Sequence, residues 1–266
     1  MSNEVHMTLQ GKGGVGKSFV ASLIVQTLYE RRGEGRQLLV IDTDPVNANS
    51  VSRFFARAER QGLSCLHLPL SGERSIAVGD FQQVIDIIAN HEGADIIIDV
   101  GTSVFDAFYK YLTGLGEGLA QITEDLQRPL SVHMPLVGAG DFIDTITCLQ
   151  QTMAAPDFAP ARFVAWINNQ RAGQVFTGAD TRERYGVVPS ERLRVVDLPE
   201  LEGSTLAVAL TRMSKSQLCF WDFDEEWMAG HGRPQIEGRE AMSNEIRWCR
   251  RAAAAYRKAI AEGWPA

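Results

Sequence analysis

The sequence predicts an α/β fold, a doubly wound and mainly parallel sheet with helices on both faces. Two observations lead to this prediction. Short apolar runs alternate with longer segments of helical spacing along most of the 266 residues, and such alternation is typical of βαβ units. Several of the apolar runs, 38–41 among them, are continuously aliphatic, as expected for strands that are buried on both faces of a parallel sheet.

Each predicted element rests on its own pattern. Strands are predicted at 5–9, 38–41, 95–99, 130–134, 163–167 and 194–198. A helix is predicted at 18–31, where Val20, Leu23 and Leu28 lie on one face. This helix is expected to end at Gly33 and Gly35. Further helices are predicted at 81–89 and 239–262.

The same pattern divides the chain into two parts. Residues 1–212 are predicted to form the sheet domain. Residues 213–266 comprise an aromatic and acidic insert and then an amphipathic helix, which packs on that domain or extends it. The insert, 214–234, has too little regular apolar spacing for a core element. A lid and a docking surface for a partner are the two interpretations left open for it.

The predicted C-terminal helix is basic as well as amphipathic. Its apolar positions follow steps of three and four residues, but its alanine-rich apolar face would bury little area in a bilayer. Packing on the sheet domain is therefore favoured. Contact with a partner or with nucleic acid is the first alternative, and membrane binding is the second.

The bulk composition excludes several classes of protein. The formal net charge of −7 argues against a protein that coats nucleic acid through bulk positive charge. No apolar run approaches the roughly 18 residues of a membrane span, and the first residues lack the pattern of a signal peptide. The four cysteines are far apart and without metal-like spacing, as is typical of free thiols in a reducing compartment. We therefore expect a cytoplasmic protein.

A glycine-rich loop follows the first predicted strand. Residues 11–18, GKGGVGKS, satisfy the pattern G-x-x-x-x-G-K-[ST] and open the first predicted helix. Glycines let successive backbone N–H groups point into one concavity, which binds phosphate oxygens. Lys17 brings a full charge to the β- and γ-phosphates, and the Ser18 hydroxyl can ligate Mg²⁺. The sequence therefore predicts a three-layer P-loop nucleotide-binding fold.

Lys12 is a second lysine in this loop, and a phosphate cradle does not need it. The form K-G-G-x-G-K-[ST] resembles the deviant Walker A loop of the ParA/MinD ATPase family, in which the extra lysine reaches the nucleotide of a partner subunit. The resemblance implies that Lys12 and Lys17 both act in catalysis. It also implies ATP or ADP and Mg²⁺ as cofactors, and a homodimer that sandwiches ATP.

Two further motifs place carboxylates at strand ends, where parallel sheets bind ligands. Asp42 and Asp44 lie in IDTDP, which resembles the second motif of the same family, and Asp99 ends the run DIIID as in a Walker B strand. The resemblance implies that Asp44 orients the attacking water. Asp42, Asp99 and Ser18 would serve the magnesium shell. Val46 departs from the family pattern, which commonly has glutamine there.

Two positions are implied to contact the base. Asn168, with Asn169 as the alternative, follows the strand at 163–167, where an asparagine of the family reads the adenine edge. Pro199 follows the last strand, where family members place backbone around the base. The predicted nucleotide-binding set comprises Gly11, Lys12, Gly13, Gly14, Val15, Gly16, Lys17, Ser18, Phe19, Asn168 and Pro199.

The resemblance covers residues 5 to about 212 and implies an ATPase used as a switch, weak without its partner. Residues 7–26 resemble the branch of the family that serves plasmid conjugal transfer. A dimer switch that acts with conjugation proteins is therefore expected, and plasmid partition with partition proteins is the first alternative. The others are a recruitment module that hydrolyses little and binds partners through 214–262, and a small-molecule kinase or ligase.

Overall fold

The structure, a computed structural model, describes residues 3–32, 36–45, 62–70, 77–114, 119–137, 142–168, 179–200 and 204–265. Seven strands within these ranges form one sheet: β1 Val5–Thr8, β2 Gln37–Asp42, β3 Leu63–His67, β4 Ala94–Asp99, β5 Leu130–Val137, β6 Arg162–Asn168 and β7 Leu193–Asp197. Their order is β3-β2-β4-β1-β5-β6-β7. Every neighbouring pair is parallel.

Helices connect these strands and follow the last of them. They are α1 Lys17–Arg31, α2 Ala77–Asn90, α3 Phe105–Gly114, α4 Leu119–Asp125, α5 Phe142–Ala154, α6 Ala179–Arg184, α7 Thr205–Lys215, α8 Glu225–His231 and α9 Ser243–Gly263. A short antiparallel hairpin of β8 Gln235–Ile236 and β9 Arg239–Glu240 precedes α9. None of the helices in the described ranges is long and apolar enough to cross a membrane.

Both faces of the sheet are buried, because successive side chains of a strand point to opposite faces. In β2, Leu39 and Ile41 belong to a core that includes residues of α2, α3 and α5. Leu38 and Val40 belong to a second core, with residues of α1, α7 and α9. The predicted doubly wound α/β/α fold is therefore confirmed.

The six predicted strands are present, with ends shifted by at most three residues. The pattern does not predict the edge strand β3, whose exposed residues include Ser64 and His67. It also does not predict the helices α3 to α8 or the short hairpin of β8 and β9. The expected helix end at Gly33 and Gly35, and the positions Val46 and Asn169, lie outside the described residues.

The prediction that the insert contributes no core element is wrong. Phe220, Trp221 and Phe223 are buried in the core that α1 and α9 share. They lie in a 3₁₀ helix, Phe220–Phe223, whose period of three residues differs from that of an α-helix and from that of a strand. The N–H of Phe220 donates to Gln26 Oε1 of α1 at 2.7 Å. Long-range packing on α1 therefore fixes this segment.

The C-terminal helix begins at Ser243 and not at the predicted residue 239. Arg239 pairs instead in the hairpin, across the turn in which Gly238 has a φ of 83°. The buried carboxylate of Glu245 accepts the N–H of Met242 at 2.9 Å and so caps the first turn. From there α9 packs on α7 and β7.

Candidate nucleotide-binding site

The glycine-rich loop joins β1 to α1 and is packed from two sides. Gly16, directly before α1, has a φ of 101°, which a residue with a Cβ rarely adopts. A Cβ on Gly16 would lie 2.8 Å from Asn168 Nδ2, and one on Gly11 would lie 2.9 Å from a ring carbon of Phe105. The loop thus depends on glycine both for its curvature and for its fit against β6 and α3.

Lys17 carries a buried ammonium group at the centre of this loop. Its Nζ donates to Thr102 Oγ1 at 2.6 Å and to the Lys12 carbonyl oxygen at 3.3 Å. Burial lowers the pKa of Lys17, and the nearby carboxylates of Asp99 and Asp44 partly oppose that effect. A buried cation whose hydrogen-bond acceptors are neutral favours the binding of an anion in the loop.

The register of the sheet brings two of the predicted carboxylates together. Asp99 is paired with Asp42 on one side and with Thr8 on the other. Thr8 Oγ1 donates to Asp99 Oδ1 at 2.7 Å, and the Ser18 hydroxyl also donates to this carboxylate. Burial raises the pKa of Asp99 to about 6, whereas these hydrogen bonds lower it, Asp42 raises it and Lys17 lowers it. Asp99 is therefore a carboxylate that a nearby cation would strongly stabilise in its charged form.

Asp44 lies just beyond the end of β2, where hydrogen bonds of its own backbone groups hold it in place. Its N–H donates to Asp42 Oδ1 at 3.1 Å, and its carbonyl oxygen accepts from His67 Nε2 at 3.0 Å. A Cβ on Gly101 would lie 2.8 Å from Asp44 Cα. The backbone of Asp44 is thus fixed between the end of β3 and the turn after β4.

Sequence reasoning missed the threonines that connect these strand ends. Thr43 donates to the Asp99 carbonyl oxygen through Oγ1 at 3.0 Å and accepts the Gly101 N–H at 3.2 Å. Thr102 Oγ1 accepts a hydrogen bond from the Lys17 ammonium group. Thr43 lies between the two aspartates of the motif IDTDP, and Thr102 follows Gly101. Their position next to these motifs is the feature of the sequence from which their role could have been predicted. Their partners depend on the register between strands, which the sequence does not give.

Asn168 and Pro199, which are implied to contact the base, and Phe19 of the predicted nucleotide-binding set lie at different distances from the loop. Asn168 is buried beneath the loop, where its Nδ2 donates to the Val15 carbonyl oxygen at 3.0 Å. Pro199 follows β7, two strands farther from β1 than β5 is. The ring of Phe19 packs edge-on against Tyr256 of α9, with 5.5 Å between ring centroids. The structure therefore brings Asn168 to the loop and turns the Phe19 side chain towards the helical layer.

Lys12 occupies a different environment from Lys17. Its side chain is 40% exposed, and its Nζ lies 3.3 Å from Asp144 Oδ2 on α5. The two lysines of one loop are thus divided between a buried position inside the site and an exposed position at its rim.

The parallel sheet, the loop between β1 and α1 and the carboxylates at the strand ends define a protein with a P-loop fold of the α/β class. MinD cell division protein of Aquifex aeolicus has a similar structure, with a TM-score of 0.52, 15% identity and coverage of 94% of this chain and 97% of that chain.

Two Escherichia coli proteins named TraL are similar in sequence. One is 34% identical over 165 residues, which are 62% of this chain and 63% of the relative. The other is 28% identical over 222 residues, which are 82% of this chain and 85% of the relative. The match to the first relative thus spans less than two thirds of its length. No protein-family model matches the chain. These findings confirm the predicted resemblance: the chain is similar to TraL proteins and has a ParA/MinD-like P-loop fold.

Proposed function

We propose that this chain binds MgATP, hydrolyses it slowly and closes into an ATP-sandwich homodimer, as a nucleotide-dependent switch in plasmid conjugal transfer. One observation carries the proposal: Lys17 is buried beside Asp44 and Asp99, while Lys12 of the same loop stands exposed at the rim. One cation thus lies inside the chain's own site, and the other lies at the rim, where it pairs with Asp144 and from which we infer that it reaches a neighbour's nucleotide. The resemblance of residues 7–26 to the conjugal-transfer branch supports the biological setting.

The residues of the site fit both components of MgATP. The loop has no room for a Cβ at Gly11 or Gly16 and holds a buried ammonium group, as a phosphate cradle requires. Asp99 and the Ser18 hydroxyl share a hydrogen bond, and Asp42 lies beside them. Oxygen donors of this kind suit Mg²⁺, which keeps part of its water shell. Bound Mg²⁺ would neutralise charge on the β- and γ-phosphates.

Each side chain has one task in the proposed hydrolysis. Asp44 orients the water whose oxygen attacks the γ-phosphorus as the bond to the β–γ bridging oxygen breaks. Lys17 balances the charge that develops within the protomer, and Lys12 balances it across the dimer. Because Lys12 must come from the second copy, a single protomer has an incomplete site. Slow hydrolysis without a partner follows from this.

Contact with nucleic acid through α9 has less support than its sequence suggested. Arg250 pairs with Glu225 at 2.7 Å, and Arg257 pairs with Glu30 at 2.6 Å. These two guanidinium groups stabilise the packing of α9 and do not offer their full charge to a phosphate backbone. We therefore propose a protein partner for the switch, and not DNA binding through this helix.

Light scattering of the full-length chain tests the switch. We expect the mass to double with MgATP but not with ADP or without nucleotide, and Lys12→Ala to abolish the doubling. Lys258→Ala, which removes an exposed lysine of α9, is the matched control and should dimerise normally. An unchanged mass in every nucleotide state would contradict the dimer.

Hydrolysis requires a separate variant. Asp44→Ala should bind MgATP with an affinity close to that of the wild type, because its carboxylate is assigned to the water and not to the phosphates. Its rate of phosphate release should fall by about 100-fold or more, as when a positioned catalytic group is removed. Full activity of this variant would refute the assigned mechanism.

A further inference from the structure

The segment that follows β4 lies against the phosphate loop at two points. Thr102 Oγ1 accepts a hydrogen bond from Lys17 Nζ at 2.6 Å. The Thr102 side chain also faces Gly13, where an added Cβ would lie 3.6 Å from Thr102 Cγ2 and 4.0 Å from Oγ1. Farther along, the ring of Phe105 packs on Gly11. Thr102 therefore occupies the space between one side of the loop and the ammonium group at its centre.

The Thr102 hydroxyl is the nearer of the two described acceptors of this ammonium group. The other, the Lys12 carbonyl oxygen, lies 3.3 Å from Lys17 Nζ. Lys17 is only 7% exposed, which leaves little space for a third acceptor beside these two. Both acceptors are neutral, and a phosphate oxygen is a stronger acceptor for an ammonium group because it is charged. A phosphate chain in the loop is therefore expected to exchange with Thr102 at Nζ.

Thr102 is also part of the segment that starts α3. It begins a 3₁₀ turn, Thr102–Val104, and its carbonyl oxygen accepts the N–H of Phe105, the first residue of α3. On the other side, the N–H of Gly101 donates to Thr43 Oγ1 at 3.2 Å, which anchors the start of the segment on β2. The β-branched side chain of Thr102 is stiff about χ1, so its hydroxyl and its backbone move together. Departure of the hydroxyl from Lys17 would thus shift the start of α3.

We propose that Thr102 is a positioning residue that holds Lys17 in the empty site, in place of a phosphate oxygen, and that the phosphate chain of a nucleotide displaces it. Occupation of the loop is thereby transmitted to α3. This inference deepens the proposed function and rests on its nucleotide binding, because the hydroxyl is displaced only if phosphate enters the loop. It assigns a role in regulation to a residue outside the recognised motifs.

The proposed role predicts an effect on affinity opposite to that of a supporting residue. A side chain that supports the bound state strengthens binding, so its removal weakens the affinity for the ligand. Thr102 instead competes with the ligand for Lys17, so the loss of its hydroxyl should raise the affinity. A variant that merely damages the loop would not bind more tightly.

Calorimetry of the full-length chain with MgADP and with inorganic tripolyphosphate measures this competition. Thr102→Val keeps the β-branched shape without the hydroxyl, and it should bind both ligands about fivefold more tightly, because a hydrogen bond to a charged group no longer has to be broken. Thr102→Ser retains the hydroxyl and should bind both ligands about as the wild type does. Thr211→Val removes the hydroxyl of an exposed threonine of α7 and is the matched control, with no expected effect. The two ligands should respond equally, since tripolyphosphate has no base.

Transmission to α3 has its own measurement, the backbone amide signals of Phe108 and Leu112 in the ¹⁵N-labelled chain. Both residues belong to α3 and are buried in the core, away from the substituted position. Tripolyphosphate should shift both signals in the wild type. In the empty Thr102→Val chain, the same signals should already be displaced towards their positions in the loaded wild type. The empty Thr102→Ser chain should resemble the empty wild type.

The outcomes separate this inference from the proposed function. If neither MgADP nor tripolyphosphate binds to the wild type, both are overturned. If the wild type binds them and Thr102→Val binds them equally or more weakly, the inference alone is overturned, because the hydroxyl then does not compete for Lys17. Tighter binding without any shift at Phe108 and Leu112 would overturn the transmission to α3 and confine the displacement to the side chain.

Discussion

Lowering the pH from 7 to 5 is expected to reduce the free energy of unfolding by about 2 kcal/mol through His6 alone. His6 and His133 are fully buried between the sheet and Trp264. Trp166 Nε1 donates to His133 Nδ1 at 3.0 Å, which leaves the His133 proton on Nε2. That nitrogen then donates to His6 Nδ1 at 3.1 Å. This chain of hydrogen bonds requires both rings to be neutral.

The size and sign of the effect follow from the pKa. Burial lowers the pKa of His6 from 6.5 to about 3, and burial and the neighbouring ring lower that of His133. Below pH 6.5 the unfolded chain therefore binds protons that the folded chain does not. The stabilisation is complete above pH 6.5 and is lost as the pH falls towards 3. Between pH 6.5 and pH 5 the free energy of unfolding falls by about 1.4 kcal/mol per pH unit, which gives a loss of about 2 kcal/mol over about 1.5 units.

Urea unfolding followed by tryptophan fluorescence at pH 7, 6 and 5 measures this loss. His6→Asn keeps an acceptor near the position of Nδ1 but cannot titrate, so the pH-dependent loss should shrink by about 2 kcal/mol relative to the wild type. The raised pKa of Asp99 acts in the opposite direction in both chains and cancels in the comparison. His91→Asn, at an exposed position, is the control. An identical pH dependence in wild type and His6→Asn would refute the reasoning.

Three further predictions concern stability or binding. Gly16→Ala should lower the affinity for MgATP at least tenfold in calorimetry, because its Cβ would meet Asn168 and its φ is left-handed. Glu245→Gln should lower the free energy of unfolding by about 2 kcal/mol in urea titrations, since it weakens the bonds of a buried carboxylate to two arginines. The pKa of the same carboxyl group is lowered to about 2. Its contribution to the free energy of unfolding should therefore be complete above pH 4.5 and be lost as the pH falls towards 2. Gln26→Leu should cost about 1–3 kcal/mol by leaving the Phe220 N–H without its acceptor, and a stability equal to that of the wild type would contradict the contact.

The sequence predicts elements and motifs where the information is local. The strands β2 and β4 are continuous aliphatic runs that end in Asp42 and Asp99, and parallel strands deliver such ends to one edge of the sheet. The phosphate loop is likewise recognisable because its glycines and Lys17 are consecutive. For these features no knowledge of distant contacts is needed.

The remaining features depend on contacts that are distant in sequence. Thr43 connects Asp99 to Gly101 only because β2 and β4 are paired in one register. The half-exposed edge strand β3 has one neighbour, so its sequence carries a weak apolar pattern. The burial of residues 220–223 depends on where α1 and α9 meet. No window of local sequence contains that information.

The contacts of α1 also decide how recruitment by the C-terminal segment can be tested. The phosphate loop directly precedes α1, and residues of the C-terminal segment pack along this helix. Phe19 meets Tyr256, and farther along Glu30 pairs with Arg257 at 2.6 Å.

Deleting residues 214–262 would expose the core around α1 and unfold the chain, so lost partner capture in that deletion would carry no information on recruitment. Exposed positions on α9 such as Arg247 and Arg251 can be changed without that cost. If 214–262 recruits a partner, Arg247→Glu with Arg251→Glu should reduce capture and leave the urea midpoint unchanged.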